Sequence, residues 1–84
     1  MYQVIVPERV RKNLNKIPET FRHKIIITFS ILSSNPFIGK KMRGEYDEHY
    51  TYRIWPYRII YEIKKKKLIV LIVAVGHRQG IYNK

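Results

Sequence analysis

The segment YTYRIWPYRIIYEIKKKKLIVLIVAV, Tyr50–Val75, decides the fold, because its apolar residues alternate or run together without helical spacing. It divides into three strand-like pieces, YTYRIW, YRIIYEI and LIVLIVAV, which are rich in β-branched and aromatic residues. Trp55-Pro56 separates the first two pieces, and the lysine run Lys64–Lys67 separates the last two. Turns this short join antiparallel neighbours, so the segment predicts a three-stranded antiparallel meander.

The residues before the meander predict one strand and two helices. YQVIV (2–6) is short and β-branched, which is typical of a strand. Two sets of apolar residues then recur with helical spacing: Val10, Leu14 and Ile17 in the first helix, and Phe21, Ile25, Phe29 and Leu32 in the second. Pro7 fits the first turn of the first helix, Pro18 separates the helices, and SSNP (33–36) ends the second. We therefore expect one α+β domain over residues 1–84, with an N-terminal strand, an antiparallel helical hairpin and the meander forming one sheet.

The charge of the chain points to a polyanionic partner. Its 84 residues carry 17 Lys and Arg against 6 Asp and Glu, a formal net charge of +11. On so small a surface, this excess favours binding to nucleic acid, to an acidic protein, or to both. The less specific alternative is a basic protein that is merely soluble.

Composition also excludes several classes of site and location. The chain has no cysteine, which excludes disulfides and thiolate metal sites and fits a cytoplasmic protein. Its three histidines, His23, His49 and His77, are too scattered to predict a metal site, so we expect neither a metal nor a small-molecule cofactor. No run approaches the roughly 20 apolar residues that cross a membrane, and the N-terminus has no signal-peptide pattern. We expect neither membrane attachment nor secretion.

A two-residue turn at Trp55-Pro56 places Arg53 directly opposite Arg58. Directly opposed residues share a face of the sheet, with Cβ atoms about 5 Å apart, so two arginines there repel each other unless an anion relieves them. The alternatives are that both are solvated, or that Glu48 and Glu62 pair with them locally.

A second turn at Lys65-Lys66 predicts that Ile63 pairs with Leu68 and that Arg58 lies opposite Val73. The face expected to lie under the helices then holds Tyr50, Tyr52, Ile54, Tyr57, Ile59, Tyr61, Ile63, Leu68, Val70, Ile72 and Ala74. Val75 falls on the opposite face, with the arginines. We expect the backbone to turn at Gly76 and to deliver His77, Arg78 and Tyr82 beside the arginine pair.

Such a cluster suits a phosphodiester. Arginine presents planar donors that match phosphate oxygens and stays charged at physiological pH. RNA can be cleaved by its own 2′-OH, so an enzyme need only position it, stabilise charge and move protons. Tyr82 or Trp55 could stack on an unpaired base. His77 is the one conventional acid–base candidate here, with a surface histidine that at most donates to phosphate as the alternative.

Four pieces of the chain together resemble the RelE/ParE toxin superfamily: NPF.GKKMRG, YRIWPYRIIYEI, LIVLIVAV and VGHRQGIY. The resemblance covers nearly the whole chain and implies a RelE-like toxin of a type II toxin–antitoxin pair. RelE-like members enter the ribosomal A site and cut mRNA there without metal, through attack by the 2′-OH. The implied partners are the ribosome, mRNA and an acidic antitoxin.

The resemblance also implies functional residues. The positions that match the family's catalytic residues are Arg53, Arg58, Arg78 and Tyr82. Arg58 is expected to stabilise the transition state, Arg53 to bind phosphate or assist the 2′-OH, and Arg78 to hold the phosphate near the leaving group. Tyr82 is expected to stack on or orient the nucleotide. Further RNA contacts are expected from His77, Trp55, Lys40, Lys41 and Arg43.

The chain departs from the family pattern at two positions. Many RelE-like chains carry a basic residue two positions before Arg53, where this chain has Thr51, so one phosphate or proton-transfer contact is in doubt. His77 stands where some relatives have Lys, which puts the identity of the acid in doubt. The chain stops at Lys84, so we expect no long C-terminal helix.

Two other functions remain open. A ParE-like toxin poisons DNA gyrase by binding and does not cut RNA, but such chains need not keep the clustered arginines and terminal tyrosine. An RNA-binding module without catalysis explains the charge but not the convergence of Arg53, Arg58 and Arg78.

Overall fold

Five strands form one sheet, and two helices cover one of its faces, in a computed structural model that describes residues 1–42 and 48–77. The elements in chain order are β1 (Gln3–Ile5), α1 (Glu8–Leu14), α2 (Glu19–Ser34), a 3-10 helix (Pro36–Ile38), β2 (Lys40–Lys41), β3 (His49–Ile54), β4 (Tyr57–Lys64), a second 3-10 helix (Lys65–Lys67) and β5 (Ile69–His77). The predicted α+β class and order of elements are confirmed.

The strand order is β1-β5-β4-β3-β2. The pairs β2–β3, β3–β4 and β4–β5 are antiparallel, which confirms the meander, whereas β1 pairs with β5 in parallel. The sequence did not predict two features: the parallel edge and the short strand β2. Strand β1 can pair with β5 in parallel because the two helices lie between β1 and the meander, and parallel neighbours need a long connection of this kind.

Each helix begins directly after a proline and carries a glutamate in its first turn, Glu8 in α1 and Glu19 in α2, where the helix dipole favours negative charge. Most of the two predicted apolar stripes are buried, as are the sheet residues below them: Val10, Leu14, Ile17, Ile25, Phe29, Leu32, Ile59, Tyr61, Ile63, Val70 and Ile72. Phe21 packs against this core from its edge. Helices α1 and α2 both lie on this face, so neither of them covers the polar side chains of the opposite face.

The first hairpin has the predicted register. Ile54 pairs with Tyr57, and Arg53 pairs with Arg58, across the Trp55-Pro56 turn. This turn fixes the register because it uses two residues and no more.

The second hairpin differs from the predicted register. Ile63 pairs with Val70 instead of Leu68, because the connection is a 3-10 helix of three lysines followed by Leu68 in the left-handed conformation. Leu68 is thus outside the strand and is 51% exposed, so the prediction that it lies under the helices is wrong.

A β-bulge in β5 then exchanges the faces of the last strand residues. Tyr61 pairs with Ile72 and Ile60 with Ala74, which leaves Val73 as the extra residue. An extra residue shifts the alternation by one, so Val75 is buried in the core while Ala74 is on the arginine face, the reverse of our expectation. Arg58 consequently lies opposite Gly76 and not opposite Val73.

Candidate functional site

The opposed arginines lie beside the β3–β4 turn, on the face that the helices leave uncovered. Arg53 is exposed, and Arg58 is half-buried with its Nε atom inaccessible to solvent. The guanidinium of Arg58 is therefore partly withdrawn from water, where its interaction with an anion is less screened.

Strand β2 brings a third cation to this pair. Lys40 pairs with Thr51, which lies two residues before Arg53 on the same face of β3. The three basic side chains line one open pocket of about 370 Å³, together with Ile38, Gly39, Thr51 and Tyr52. Lys40 was predicted to contact RNA, but a strand of two residues carries no alternation from which the sequence could place it beside the arginines.

Lys41 belongs to a different surface. It pairs with Tyr50 and borders a pocket of about 440 Å³ that also contains Glu48 and Glu62. The Nζ atom of Lys64 lies 3.3 Å from the Glu62 carboxylate, so this pocket has acidic as well as basic walls. Of the two predicted lysines, only Lys40 adjoins the arginines.

His77 is the last residue of β5 and pairs with Tyr57, whose ring centroid is 5.9 Å away in an edge contact. The expected backbone turn at Gly76 is wrong, because both Gly76 and His77 still belong to the strand. Directly opposed residues share a face, so His77 shares the face of Tyr57, and Gly76 is the residue beside Arg58. His77 is a neighbour of the arginine pair along the sheet but does not lie across from it.

Trp55 occupies the tip of the β3–β4 hairpin and is 61% exposed. An exposed indole two residues from Arg53 is placed to stack on an unpaired base. The predicted residues Arg43, Arg78 and Tyr82 lie outside the described residues.

A buried hydroxyl supports the pocket from the opposite face of the sheet. Tyr61 is fully buried, donates to the Pro36 carbonyl at 2.6 Å and accepts from the Gly39 N–H at 3.1 Å. Burial raises the pKa of Tyr61 to about 12, although the Gly39 hydrogen bond acts to lower it. The sequence predicts Tyr61 as a core residue and gives no signal for these contacts, because the partner atoms belong to the backbone.

This arrangement can bind and neutralise a phosphodiester. Two guanidinium groups and an ammonium around one pocket supply donors and positive charge, and Thr51 adds a hydroxyl. Residues 1–42 and 48–77 contain no group of three His, Cys, Asp or Glu that could hold a metal ion. Within the same ranges, no helix is both long and apolar enough to cross a membrane.

The sequence model of one family, described as the ParE toxin of the type II toxin–antitoxin system parDE, matches residues 4–82. The chain belongs to the RelE/ParE superfamily of toxins. This RelE-like chain is 31% identical over 85 residues to the toxin RelG of Mycobacterium tuberculosis, an alignment that covers 99% of this chain and 98% of RelG. It is 29% identical over 87 residues to the putative toxin RelE1 of Methanocaldococcus jannaschii, covering 98% and 96% of the two chains.

Solved structures give the same placement. The toxin–antitoxin complex RelBE2 of M. tuberculosis contains a chain with a TM-score of 0.82 and 30% identity to this toxin, covering 92% of this chain and 98% of that one. The isolated E. coli RelE toxin has a TM-score of 0.80 and 25% identity, covering 92% and 84%. The match over most of both chains establishes a RelE-like type II toxin and confirms the resemblance.

Proposed function

We propose that this toxin is an endoribonuclease that cuts mRNA in the ribosomal A site without a metal ion and so inhibits translation. The observation that carries the proposal is the opposition of Arg53 and Arg58 on the open face of the sheet, with Lys40 in the same pocket. Three cations around one small pocket repel one another, and an anionic ligand bound there reduces this repulsion.

The chemistry suits RNA because the nucleophile belongs to the substrate. The 2′ oxygen gives its proton to water as it attacks the adjacent phosphorus, the bond from phosphorus to the 5′ oxygen breaks, and that oxygen takes up a proton from water. Arg58, the less solvated guanidinium, stabilises the charge that develops on the phosphoryl oxygens, and Arg53 binds the phosphate. We assign Arg78 and Tyr82 the leaving-group and nucleotide-orienting roles that the family resemblance implies.

The test is to incubate the toxin with mRNA, with and without programmed ribosomes, and to map the new 5′ ends. We expect cuts at the A-site codon when ribosomes are present. Cuts of equal rate in free mRNA would remove the ribosome from the proposal, and uncut mRNA in both reactions would contradict the nuclease function.

A ParE-like toxin that poisons DNA gyrase is the second candidate, and the description of the matching family model favours it. Gyrase poisoning does not require the opposed arginines. Linearised plasmid that remains linked to gyrase after toxin treatment, together with intact mRNA on ribosomes, would support this candidate over the nuclease.

We further propose that the chain is a single cytoplasmic domain neutralised by an acidic antitoxin. The net charge of +11 favours such a partner, and two solved chains similar to this one belong to toxin–antitoxin complexes. A flexible antitoxin segment that wraps a basic surface should bind more weakly as salt rises. Salt-insensitive binding would contradict this mode and favour apolar contact with the exposed isoleucines of α2, Ile26, Ile27 and Ile31.

A further inference from the structure

The strand that carries Lys40 is a short strand at the edge of the sheet. Strand β2 contains two residues, which pair with Thr51 and Tyr50 of β3. One backbone hydrogen bond follows it, from the Met42 N–H to the His49 carbonyl at 2.8 Å. Edge strands this short are weakly held by pairing alone, so the position of Lys40 depends on what fixes the chain just before it.

Tyr61 fixes the chain at that point. Its hydroxyl is bonded both to Pro36, where the first 3-10 helix begins, and to Gly39, the residue before Lys40. Both partners are backbone atoms, so the hydroxyl holds the path of the segment whatever its side chains do. The segment is thereby tied to β4, the central strand that also carries Arg58.

The approach of Gly39 to Tyr61 is close enough to require glycine. A Cβ atom on Gly39 would overlap the Tyr61 hydroxyl and would lie 2.9 Å from the Thr51 carbonyl oxygen. The backbone of Gly39 is therefore packed between Tyr61 of β4 and Thr51 of β3. Thr51 is the pairing partner of Lys40, so the close approach and the pocket share a residue.

We propose that Tyr61 is a positioning residue for the RNA site, which holds Gly39 so that Lys40 lies over Thr51 and acts as the third phosphate-binding group beside Arg53 and Arg58. This inference rests on the proposed function. Tyr61 lies on the helix-covered face and cannot touch RNA itself, so its effect passes through the backbone of Gly39 to a side chain on the other face of the sheet.

A double-mutant cycle tests this coupling. Tyr61→Phe removes the hydroxyl and keeps the ring, and Lys40→Met removes the ammonium and keeps an unbranched side chain. The affinity of wild type, both single variants and the double variant is measured for a short 2′-O-methyl RNA, which cannot be cleaved by its own 2′-OH, over a range of salt. Ile63→Val, a core change on the same strand, is the control for lost stability, with the urea midpoint recorded for every variant.

We expect Lys40→Met to reduce the slope of log affinity against log salt by about 0.7, the value of one contact to a single-stranded phosphate. Tyr61→Phe should reduce the slope by part of that amount in the wild-type background and by nothing further in the Lys40→Met background. Ile63→Val should leave the slope unchanged while lowering the urea midpoint.

Two results would overturn the inference: equal effects of Tyr61→Phe in both backgrounds, or a wild-type slope in either single variant. If either result is found and the wild-type toxin still cuts mRNA on ribosomes, the coupling is refuted and the proposed function is not. A wild-type toxin that cuts no mRNA refutes the nuclease instead, and the cycle still reports whether Tyr61 and Lys40 act together on a bound anion.

Discussion

Arg53 and Arg58 are a directly opposed pair at the turn end of the β3–β4 hairpin. Opposed like charges destabilise a sheet, and a neutral pair at this position would give a more stable hairpin. Both arginines line one open pocket with Lys40, where an anion can bridge them. An anionic ligand bound in this pocket would reduce the repulsion between the two guanidinium groups.

Arg53→Gln should stabilise the free protein at low salt. It removes one member of the repulsive pair, so we expect a gain of about 0.2–1 kcal/mol in the free energy of unfolding. The gain should shrink towards zero at about 1 M salt, where the Debye length falls to roughly 3 Å. Urea denaturation at both salt concentrations measures this, with Lys16→Gln as a control of equal charge change on an exposed side chain. A variant less stable than wild type at low salt would show that Arg53 is already compensated within the protein.

Tyr61→Phe should lower the free energy of unfolding near neutral pH, and this loss should become smaller in alkaline solution. The Gly39 N–H and the Pro36 carbonyl would lose the hydroxyl, a penalty of about 1–3 kcal/mol. Burial raises the pKa of Tyr61 in the folded protein from the usual 10.0 to about 12, so the folded protein retains a proton that the unfolded chain releases. The contribution is therefore complete below pH 10.0 and is lost as the pH rises towards 12.

The measurement is the difference in unfolding free energy between wild type and Tyr61→Phe as a function of pH. All other side chains are the same in both proteins, so their contributions cancel in the difference. We expect the difference to fall by about 2 kcal/mol between pH 10.0 and pH 12, given 1.36 kcal/mol per pKa unit. A constant difference would mean that the Tyr61 hydroxyl titrates normally and is not held in the buried contact.

Val75→Ala and Val73→Ala distinguish the bulged strand from a regular one. In a regular strand the two residues share a face, so the substitutions should cost similar amounts. With the bulge, Val75 is a core residue at 3% exposure and Val73 is the extra residue, only partly buried. We expect about 2 kcal/mol for Val75→Ala and less than about 1 kcal/mol for Val73→Ala in urea denaturation. Similar losses from both substitutions would contradict the register.

The parts of the fold that could be predicted are those fixed by local chemistry. Helix starts follow from Pro7 and Pro18, and the first hairpin follows from a two-residue turn that contains proline. The opposition of Arg53 and Arg58 could therefore be derived from spacing before the fold was known.

The parts that could not be predicted depend on non-local geometry. A run of lysines does not reveal that three of them form a 3-10 helix or that Leu68 adopts the left-handed backbone conformation. An apolar strand likewise does not reveal that Val73 is the extra residue of a β-bulge. The alternation of an apolar strand is the same with and without the bulge until the pairing is seen. The position of Lys40 beside the arginines and the hydrogen bonds of Tyr61 could not be predicted for the same reason, since each depends on a partner from another strand or from the backbone of the chain before β2.

The central claim is that the arginine pocket cuts mRNA on the ribosome, and Arg58→Ala tests it most directly. The rate of A-site cleavage on programmed ribosomes is measured by 5′-end mapping for wild type and the variant, with urea midpoints and antitoxin binding as checks on the fold. We predict that wild type cuts at the A-site codon and that the variant, folded and bound by antitoxin, cuts at least about 100-fold more slowly. Cleavage by folded Arg58→Ala at the wild-type rate would contradict the account.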